Sequence, residues 1–170
     1  MTNGIASAET RLRVGVGYDA HRLERGLPLT LGGVAIAHDR GPVAHSDGDV
    51  LAHAVGDALL GAAGLGDLGE HFSNRDARWR GVSSLVLLEK IRELLEARGD
   101  RIVNVDATLI AEAPRIRPHV AAMRDAIGKA LRIDPNRVSI KATTNEGLGA
   151  LGREEGIAAH AVALVEVGGS

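Results

Sequence analysis

Every second residue over positions 12–16 is apolar, and the intervening positions are arginine or glycine. This period of two is typical of a half-buried β-strand, because successive side chains of a strand point to opposite faces. Two short apolar runs follow at residues 29–31 and 34–36, and the Gly32-Gly33 pair between them predicts a two-residue β-hairpin. The chain is therefore predicted to begin with strands.

From residue 46 onward, apolar positions recur at helical spacing. Capping residues and glycines at the ends of these patterns predict three helices: from Ser46, which has capping-box-like spacing to Asp49, to the glycines at 61–66, from Ser83 or Ser84 to Arg98, and over Pro118–Leu131. The last of them has proline at its start, where the missing N–H costs no hydrogen bond.

Three further segments have the character of strands: Arg101–Ala111, Val138–Thr144 and Ile157–Val167. The first two flank the third helix and predict a β-α-β unit. The last strand has almost no polar positions, so it must be covered on both faces. Because about three helices cover one face of a sheet, we predict an α+β two-layer sandwich. Its mixed β-sheet carries helices on one face, and its other face packs against further copies of the chain.

A chain of 170 residues can bury one sizeable core, and we predict a single domain over residues 11–168 after a flexible N-terminal tail at residues 1–10. That tail lacks the basic and apolar segments of a signal peptide. No apolar run reaches the roughly 18 residues that span a bilayer. We therefore expect a cytoplasmic protein with no membrane partner.

Composition restricts both partners and chemistry. An aromatic content of 2% and a net charge of −2 provide neither stacking platforms nor a basic surface for nucleic acid. The absence of cysteine excludes disulfides, thiolate nucleophiles and thiolate metal ligands. A tightly bound metal ion must therefore be held by histidine, aspartate or glutamate, and seven histidines are available.

Asp19 and His21 stand two residues apart at the end of the first predicted strand, so both side chains point to one face. His53 lies on the first predicted helix, and Asp57 follows one turn later on the same side. The first three would give three nitrogen and oxygen ligands and one open position, the composition of a catalytic zinc site. Asp57 would orient His53. The alternative is a polar strand end and a solvated helix stripe.

Two further segments carry groups suited to a diphosphate. Residues 66–72 form a glycine-rich turn with exposed backbone N–H groups. Residues 141–146 combine a lysine, two threonine hydroxyls and Glu146, and Arg153 follows. Such groups bind phosphate oxygens, and Glu146 would hold a Mg²⁺ or Mn²⁺ ion at the diphosphate. The alternative is that both segments are ordinary loops.

Several of these segments occur in the same order in one enzyme family. The chain resembles the 2-C-methyl-D-erythritol 2,4-cyclodiphosphate synthases over residues 11–167. The resemblance rests on GYDAH at 17–21, AHSDGDV at 44–50 with His53, DALLGAA at 57–63, GDLG at 66–69 and KATT at 141–144 through Gly156.

The resemblance implies a homotrimer that acts in non-mevalonate isoprenoid synthesis. Its cytidine diphosphate substrate, 4-diphosphocytidyl-2-C-methyl-D-erythritol 2-phosphate, cyclises to the 2,4-cyclodiphosphate and releases CMP. By position, the zinc ligands of the family match Asp19, His21 and His53, and a residue at a second divalent ion matches Glu146. The residues that stabilise the transition state match His45 and Thr144.

The resemblance also implies active sites at subunit interfaces. Substrate contacts on the metal side match Asp19, His21, His45, Ser46, Asp67, Gly69, Phe72 and Asp76. The cytidine and phosphate pocket of a neighbouring subunit matches Ala111, Ala113, Pro114, Arg115, Arg117, Ala142, Thr143, Thr144, Asn145, Glu146 and Arg153.

At three positions the chain departs from the family pattern. Asn74 stands where an aspartate contacts the substrate. Ala150 replaces a common aromatic residue, and His160 stands where some members carry glutamate. The last two positions, with Arg153, line a central cavity that binds isoprenoid diphosphates in some members.

Two other functions fit the same residues. A zinc phosphohydrolase would use the same ligands and incorporate solvent oxygen into its product. A non-catalytic trimeric protein that binds a metal or a nucleotide would close its metal site with four protein ligands.

Overall fold

The computed structural model of the protein describes residues 11–73 and 75–168. Its strands are β1 (Leu12–Arg25), β2 (Leu29–Leu31), β3 (Val34–Ile36), β4 (Arg40–Pro42), β5 (Arg101–Ile110), β6 (Val138–Thr143) and β7 (Gly156–Glu166). Its helices are α1 (Val50–Ala63), α2 (Leu68–His71), α3 (Ser84–Ala97), α4 (Val120–Leu131) and α5 (Gly149–Gly152). The predicted flexible tail at 1–10 and the substrate contact considered at Asn74 lie outside the described residues.

A five-stranded mixed sheet with the order β4-β1-β7-β5-β6 forms one layer of the fold. β7 lies in the centre and pairs antiparallel with β1 and with β5. β5 and β6 are parallel, and α4 connects them. The β-α-β unit predicted from sequence is therefore confirmed, as is the prediction of an α+β fold with a mixed sheet.

β2 and β3 form the predicted hairpin as a separate two-stranded sheet. Gly32 and Gly33 have φ angles of 57° and 76°, which L side chains rarely adopt and which suit a two-residue turn. The N–H groups of both glycines donate to the buried carboxylate of Asp49, at 2.8 and 2.6 Å. The hairpin is thereby attached to the start of α1.

The three predicted helices are present, but α4 begins at Val120 rather than at Pro118, which lies in a 3₁₀ turn (Arg117–His119) just before it. Asp49 accepts a hydrogen bond from the Ala52 N–H (3.0 Å) and begins α1, and Gly64 ends this helix in a left-handed conformation. Ser83 caps α3. The turn predicted at residues 66–72 instead contains the short helix α2, because the Asp67 carboxylate caps it by accepting from the Glu70 N–H at 3.0 Å.

The helices α1 and α4 pack on one face of the sheet, and α3 packs on both of them. Two glycines allow α1 to lie directly on β1. A Cβ atom placed on Gly15 would lie 2.0 Å from the Ala58 carbonyl oxygen, and one on Gly17 would lie 1.9 Å from the Ala54 carbonyl oxygen. The helix-facing side of β1 is thus the glycine side, not the apolar side that the alternation suggests.

The apolar residues of the β1 alternation lie on the opposite face of the sheet. Leu12, Val14 and Val16 are 51%, 63% and 67% exposed, and Tyr18 and Val162 are exposed beside them. In β7 the residues facing the helices are buried, and exposed positions alternate with them. Among residues 11–73 and 75–168, no helix has the length and apolar character needed to cross a membrane.

Candidate metal and substrate site

Asp19, His21 and His53 meet where β1 passes α1. The period of two along β1 continues the helix-facing side from Gly15 and Gly17 to Asp19 and His21. The two glycines bring the backbone of α1 close to the strand, so His53 on that helix reaches the same point. The close approach of the two elements therefore creates the cluster.

The three side chains lie within hydrogen-bonding distance of each other. Asp19 Oδ2 lies 2.8 Å from His53 Nδ1 and 3.0 Å from His21 Nε2. The two ring nitrogens are 3.3 Å apart. One potential ligand atom from each residue lies within 4.8 Å of the other two. The cluster predicted from sequence is thus present.

Asp19 and His53 change each other's pKa. Burial acts to raise the pKa of Asp19, but hydrogen bonds from His21 and His53 outweigh it and hold this pKa well below its ordinary value. Burial acts to lower the pKa of His53, and the Asp19 carboxylate outweighs that effect, so the pKa of His53 is raised. The raised pKa means that a proton competes more strongly with a metal ion for His53.

The donor set fits a divalent transition metal such as Zn²⁺. A carboxylate oxygen and two imidazole nitrogens are preferred ligands of this ion, and three protein ligands leave a position for a further ligand. The cluster opens into a cavity, so that position would be reachable by a substrate. Asp19, His21 and His53 are therefore the residues that would hold the metal.

Behind His53 lies Ser84, which the sequence patterns indicate only as a possible helix start and not as part of a site. Ser84, at the start of α3, places its Oγ 2.9 Å from His53 Nε2 and donates its hydroxyl to Asp47. Ser46 Oγ lies 3.1 Å from the same nitrogen. The predicted orienting residue, Asp57, accepts a hydrogen bond from the Leu68 N–H (2.8 Å) and makes none to His53 among the described residues.

A cavity of about 230 Å³ adjoins the cluster of Asp19, His21 and His53. Four of the predicted substrate contacts line it beside Asp19 and His21: His45, Ser46, Gly69 and Phe72. Two others do not line it. The carboxylates of Asp67 and Asp76 cap short turns instead, since they accept from the N–H groups of Glu70 and Arg78, at 3.0 Å each.

One wall of this cavity is apolar. Phe72 and Trp79 meet edge to face with their ring centres 5.1 Å apart, and Leu68, Val82 and Leu87 complete the wall. The sequence patterns do not predict this role for Trp79, because its contact with Phe72 forms only when the chain folds.

A second cavity, of about 450 Å³, lies beyond the ends of β5 and β6. The predicted nucleotide residues that line it are Ala111, Pro114, Arg115, Arg117, Ala142, Thr143 and Thr144. Glu112, Ile116 and Pro118 complete the lining, and Ala113 lies within the same loop. The structure therefore gathers two segments that are about 30 residues apart in the chain.

The loop after β6 is held by a carboxylate from the loop after β5. Glu112 Oε1 accepts from the N–H groups of Asn145 (2.7 Å) and Gly147 (3.3 Å). Thr144 Oγ1 donates to Glu146 Oε1 at 3.1 Å. Glu146 is exposed at the rim and does not line the second cavity.

Two predicted phosphate-binding cations are engaged elsewhere. Lys141 forms an ion pair with Asp106 on the neighbouring strand. Arg153 pairs with Glu155 at 2.7 Å and lines neither cavity.

The two remaining positions that differ from the family pattern lie in separate places. His160 contacts Tyr18 on the exposed face of the sheet, with ring centres 4.7 Å apart. Ala150 lies in α5, at the edge of a third cavity that Arg22 and Glu155 also line.

The metal cluster and the second cavity lie apart within one chain. Asp19 is in register with Ala159, that residue with Leu109, and Leu109 with Ala142. Three strand spacings of about 4.8 Å separate the two ends of this row by about 14 Å. The predicted substrate contacts of one chain are therefore divided between two separate cavities.

Known proteins are similar to this chain over nearly its whole length. The model of the YgbB family matches residues 12–166. A 2-C-methyl-D-erythritol 2,4-cyclodiphosphate synthase from Synechocystis is 56% identical over 156 residues, 92% of this chain and 97% of its own. A solved synthase of the same name in a CDP-bound form is 42% identical, with a TM-score of 0.83 over 91% of this chain and all of its own. The bifunctional IspDF from Campylobacter jejuni is 38% identical, with a TM-score of 0.89 over 94% of this chain, which spans 43% of that protein.

Proposed function

The chain belongs to the YgbB family, and from this premise we propose that it is a 2-C-methyl-D-erythritol 2,4-cyclodiphosphate synthase of isoprenoid precursor synthesis. It converts 4-diphosphocytidyl-2-C-methyl-D-erythritol 2-phosphate to the 2,4-cyclodiphosphate with release of CMP, as a phosphorus–oxygen lyase. The observation that carries the proposal is the convergence of Asp19, His21 and His53 on an open cavity, in a chain related throughout to synthases of that name.

The nucleophile in this reaction belongs to the substrate. A phosphate monoester has a second pKa near ~6, so the 2-phosphate is largely ionised at neutral pH and needs no activated side chain. One of its oxygens attacks the β-phosphorus of the diphosphate. A new phosphorus–oxygen bond forms, the bond from the β-phosphorus to the bridging oxygen breaks, and CMP leaves with that oxygen. The enzyme must place the groups in line and neutralise their charge.

Asp19, His21 and His53 would hold Zn²⁺ or another divalent transition metal. Such an ion neutralises phosphate oxygens and draws electron density from phosphorus. His45 lines the same cavity, and its Nε2 is buried without a hydrogen-bond partner among residues 11–73 and 75–168. Because a buried polar atom is costly when unpaired, we propose that this nitrogen donates to a phosphate oxygen as charge develops there. Ser46 and Gly69 offer further polar contacts.

The second cavity is suited to the cytidine diphosphate end of the substrate. Arg115 and Arg117 bring two permanent positive charges to its lining, and Thr143 and Thr144 bring hydroxyl groups. Glu146 at the rim would hold Mg²⁺ or Mn²⁺ against the diphosphate. Thr144 would donate to the phosphoryl group that is transferred.

We propose that the working assembly is a homotrimer with shared active sites. The two half-sites of one chain are about 14 Å apart across the sheet, which favours completion of each site by a neighbour. The sheet face without helices exposes Leu12, Val14, Val16 and Val162, and such a contiguous apolar area is typical of an interface. Cyclic symmetry would give three equivalent sites.

Product analysis tests this function directly. The protein is incubated with the cytidyl substrate and Mg²⁺ or Mn²⁺ in ¹⁸O-labelled water, and CMP and phosphorus products are followed by chromatography and ³¹P NMR. We expect CMP and a cyclic diphosphate without solvent oxygen, and loss of both products in His53→Ala. A linear product that contains ¹⁸O would identify a phosphohydrolase. Tight binding without turnover would identify a binding protein.

A further inference from the structure

Ser84 joins His53 to a carboxylate that takes no part in the metal cluster. Its Oγ lies 2.9 Å from His53 Nε2, the ring nitrogen that points away from Asp19 and His21. Its hydroxyl is within hydrogen-bonding distance of Asp47 Oδ1, and its backbone N–H donates to Asp47 Oδ2 at 2.9 Å. Ser84 is 1% exposed, so water does not compete for these bonds.

The direction of each hydrogen bond follows from the number of protons. An ionised carboxylate is an acceptor at both oxygens, so the single hydroxyl proton of Ser84 is donated to Asp47. The Ser84 oxygen then has lone pairs for His53 and must accept from Nε2–H. Nδ1 lies 2.8 Å from the Asp19 carboxylate, so Nδ1–H donates to that carboxylate while no metal ion is bound. Because Ser84 keeps the other proton on Nε2, loss of the Nδ1 proton leaves the lone pair on Nδ1, where a metal ion can bind.

We propose that Ser84 and Asp47 are positioning residues that hold His53 in the Nε2–H tautomer and so keep Nδ1 free to bind the divalent metal ion. The inference rests on the proposed metal centre and assigns no residue a new contact with substrate. Hydrogen bonds to the far nitrogen of a metal-binding histidine fix its orientation and tautomer in this way.

Ser46 is also close to His53 Nε2, but it does not fix the proton on that nitrogen as Ser84 does. Its Oγ is farther from His53 Nε2, at 3.1 Å, and it accepts from the Gly48 N–H at 3.3 Å. No carboxylate fixes the direction of its hydroxyl proton among the described residues. Ser46 is half-buried at the cavity, where the substrate is proposed to contact it.

The first test measures Zn²⁺ affinity by competition with a chromophoric chelator. Ser84→Ala removes the acceptor for His53 Nε2–H, and we expect affinity to fall about 10- to 100-fold. Ser83→Ala is the matched control, because it alters the neighbouring serine at the exposed start of α3 without touching His53. Its Zn²⁺ affinity should equal that of the wild type. Equal affinities for Ser84→Ala and wild type would overturn the proposal.

Asp47→Asn provides a second variant that preserves volume. If the asparagine oxygen accepts from the Ser84 N–H, its NH₂ group must donate to Ser84 Oγ. The hydroxyl then donates to His53 Nε2, which favours the Nδ1–H tautomer and blocks the metal-binding lone pair. The ¹⁵N shift of His53 Nε2 in metal-free protein should report a protonated nitrogen in the wild type and an unprotonated nitrogen in Asp47→Asn. An unchanged tautomer would also overturn the proposal.

These outcomes are separable from the proposed function. Zn²⁺ affinity and tautomer are measured without substrate. If wild-type protein and Asp19→Ala bind Zn²⁺ equally, the metal centre itself is misassigned. If only Asp19→Ala loses affinity and the Ser84 and Asp47 variants do not, the metal centre stands and the positioning role fails.

Discussion

At Asp19, burial and hydrogen bonding act on one carboxylate in opposite directions. Burial disfavours the charged form, and the bonds from His21 and His53 outweigh it, so the pKa of Asp19 is lowered. The pKa of His53 is raised above its ordinary value of 6.5, because stabilisation by Asp19 outweighs its own burial. A metal ion at this cluster must displace the proton of His53.

We therefore predict that Zn²⁺ affinity increases as pH rises through the raised pKa of His53. In the metal-free protein the stability contribution of His53 has the opposite trend: it is complete below the unfolded pKa of about 6.5 and is lost as pH rises through the folded pKa. The contribution of Asp19 is present above about pH 4 and is lost as pH falls toward its lowered folded pKa. Zinc titrations and urea unfolding over a pH series measure both trends.

The His53→Ala variant is the control for these pH series, because it removes the raised pKa. Its unfolding free energy should lack the decrease that accompanies deprotonation of His53 in the wild type. A wild-type Zn²⁺ affinity that stays constant from pH 6 to 9 would contradict the proton competition.

A substitution of Thr144 tests the role proposed for the second cavity. Its hydroxyl donates to Glu146 and faces the second cavity. Thr144→Val keeps the shape and removes the donor, so we predict a fall in kcat of about 100-fold with a smaller rise in KM. Steady-state rates of CMP release measure both constants. A change in KM alone would reduce Thr144 to a binding contact.

Among the secondary-structure elements, the contact of β1 with α1 determines whether the metal cluster exists. At Gly15 and Gly17 the backbones of β1 and α1 are so close that no side chain would fit between them. The same contact sets His53 over Asp19 and His21. The glycines therefore contribute to function through the distance between two elements.

We predict that Gly17→Ala destabilises the protein by about 3 kcal/mol or more, because its Cβ would lie 1.9 Å from the Ala54 carbonyl oxygen. Zn²⁺ affinity should fall as well, since α1 must move away from β1. Urea unfolding at a fixed protein concentration and a zinc titration measure the two effects.

Gly61→Ala is the matched control on α1. The nearest atom to its added Cβ is the Val16 carbonyl oxygen at 3.9 Å, so space is available. Alanine has the higher helix propensity, and stability should stay equal or rise by up to about 1 kcal/mol. Equal destabilisation by both substitutions would show that the backbone contact at Gly17 is not the cause.

Glu112 braces the loop that presents Thr144 and Glu146, because one carboxylate oxygen accepts from two backbone N–H groups of that loop. We predict that Glu112→Ala lowers kcat/KM for CMP release at least about tenfold, since the loop loses both bonds. Glu112→Gln keeps an acceptor oxygen and should retain most of the activity. Similar losses in both variants would show that the negative charge of Glu112 is required, and not only its acceptor oxygen.

At the scale of the whole molecule, the cluster of Asp19, His21 and His53 lies apart from the second cavity, and one sheet face is apolar and exposed. The proposed trimer, in which each substrate bridges two chains, would account for both features. Activity would then depend on which subunits meet.

Mixed trimers test the shared site. Asp19→Ala damages the metal half and Thr144→Ala the nucleotide half, so each homotrimer should be nearly inactive. In a cyclic trimer every mixed assembly contains one interface at which both halves are intact. After random equal reassembly, about one quarter of wild-type activity should return. Differently tagged subunits allow the mixed trimers to be isolated, and the absence of CMP release from them would refute the shared site.

Local sequence determined the elements and the types of ligand. The cap at Ser83, the Gly32-Gly33 turn and the helical periods are short-range features, and the structure confirms them. The capping-box spacing of Ser46 and Asp49 predicts a cap at Ser46, but Asp49 itself caps α1. Asp19 and His21 were recognisable because a period of two forces them onto one side of a strand. The family motifs in the sequence already indicated the activity.

Tertiary structure alone decided which face each element buries and which distant residues meet. The alternation in β1 predicts one buried side, but its glycines face α1 because only they allow backbone contact, and Val14 and Val16 are left exposed. Ser84 reaches His53 from 31 positions away, a contact with no periodic signal in the sequence. Local patterns reflect interactions between residues that are close in the sequence, whereas these contacts depend on how closely two distant elements can pack.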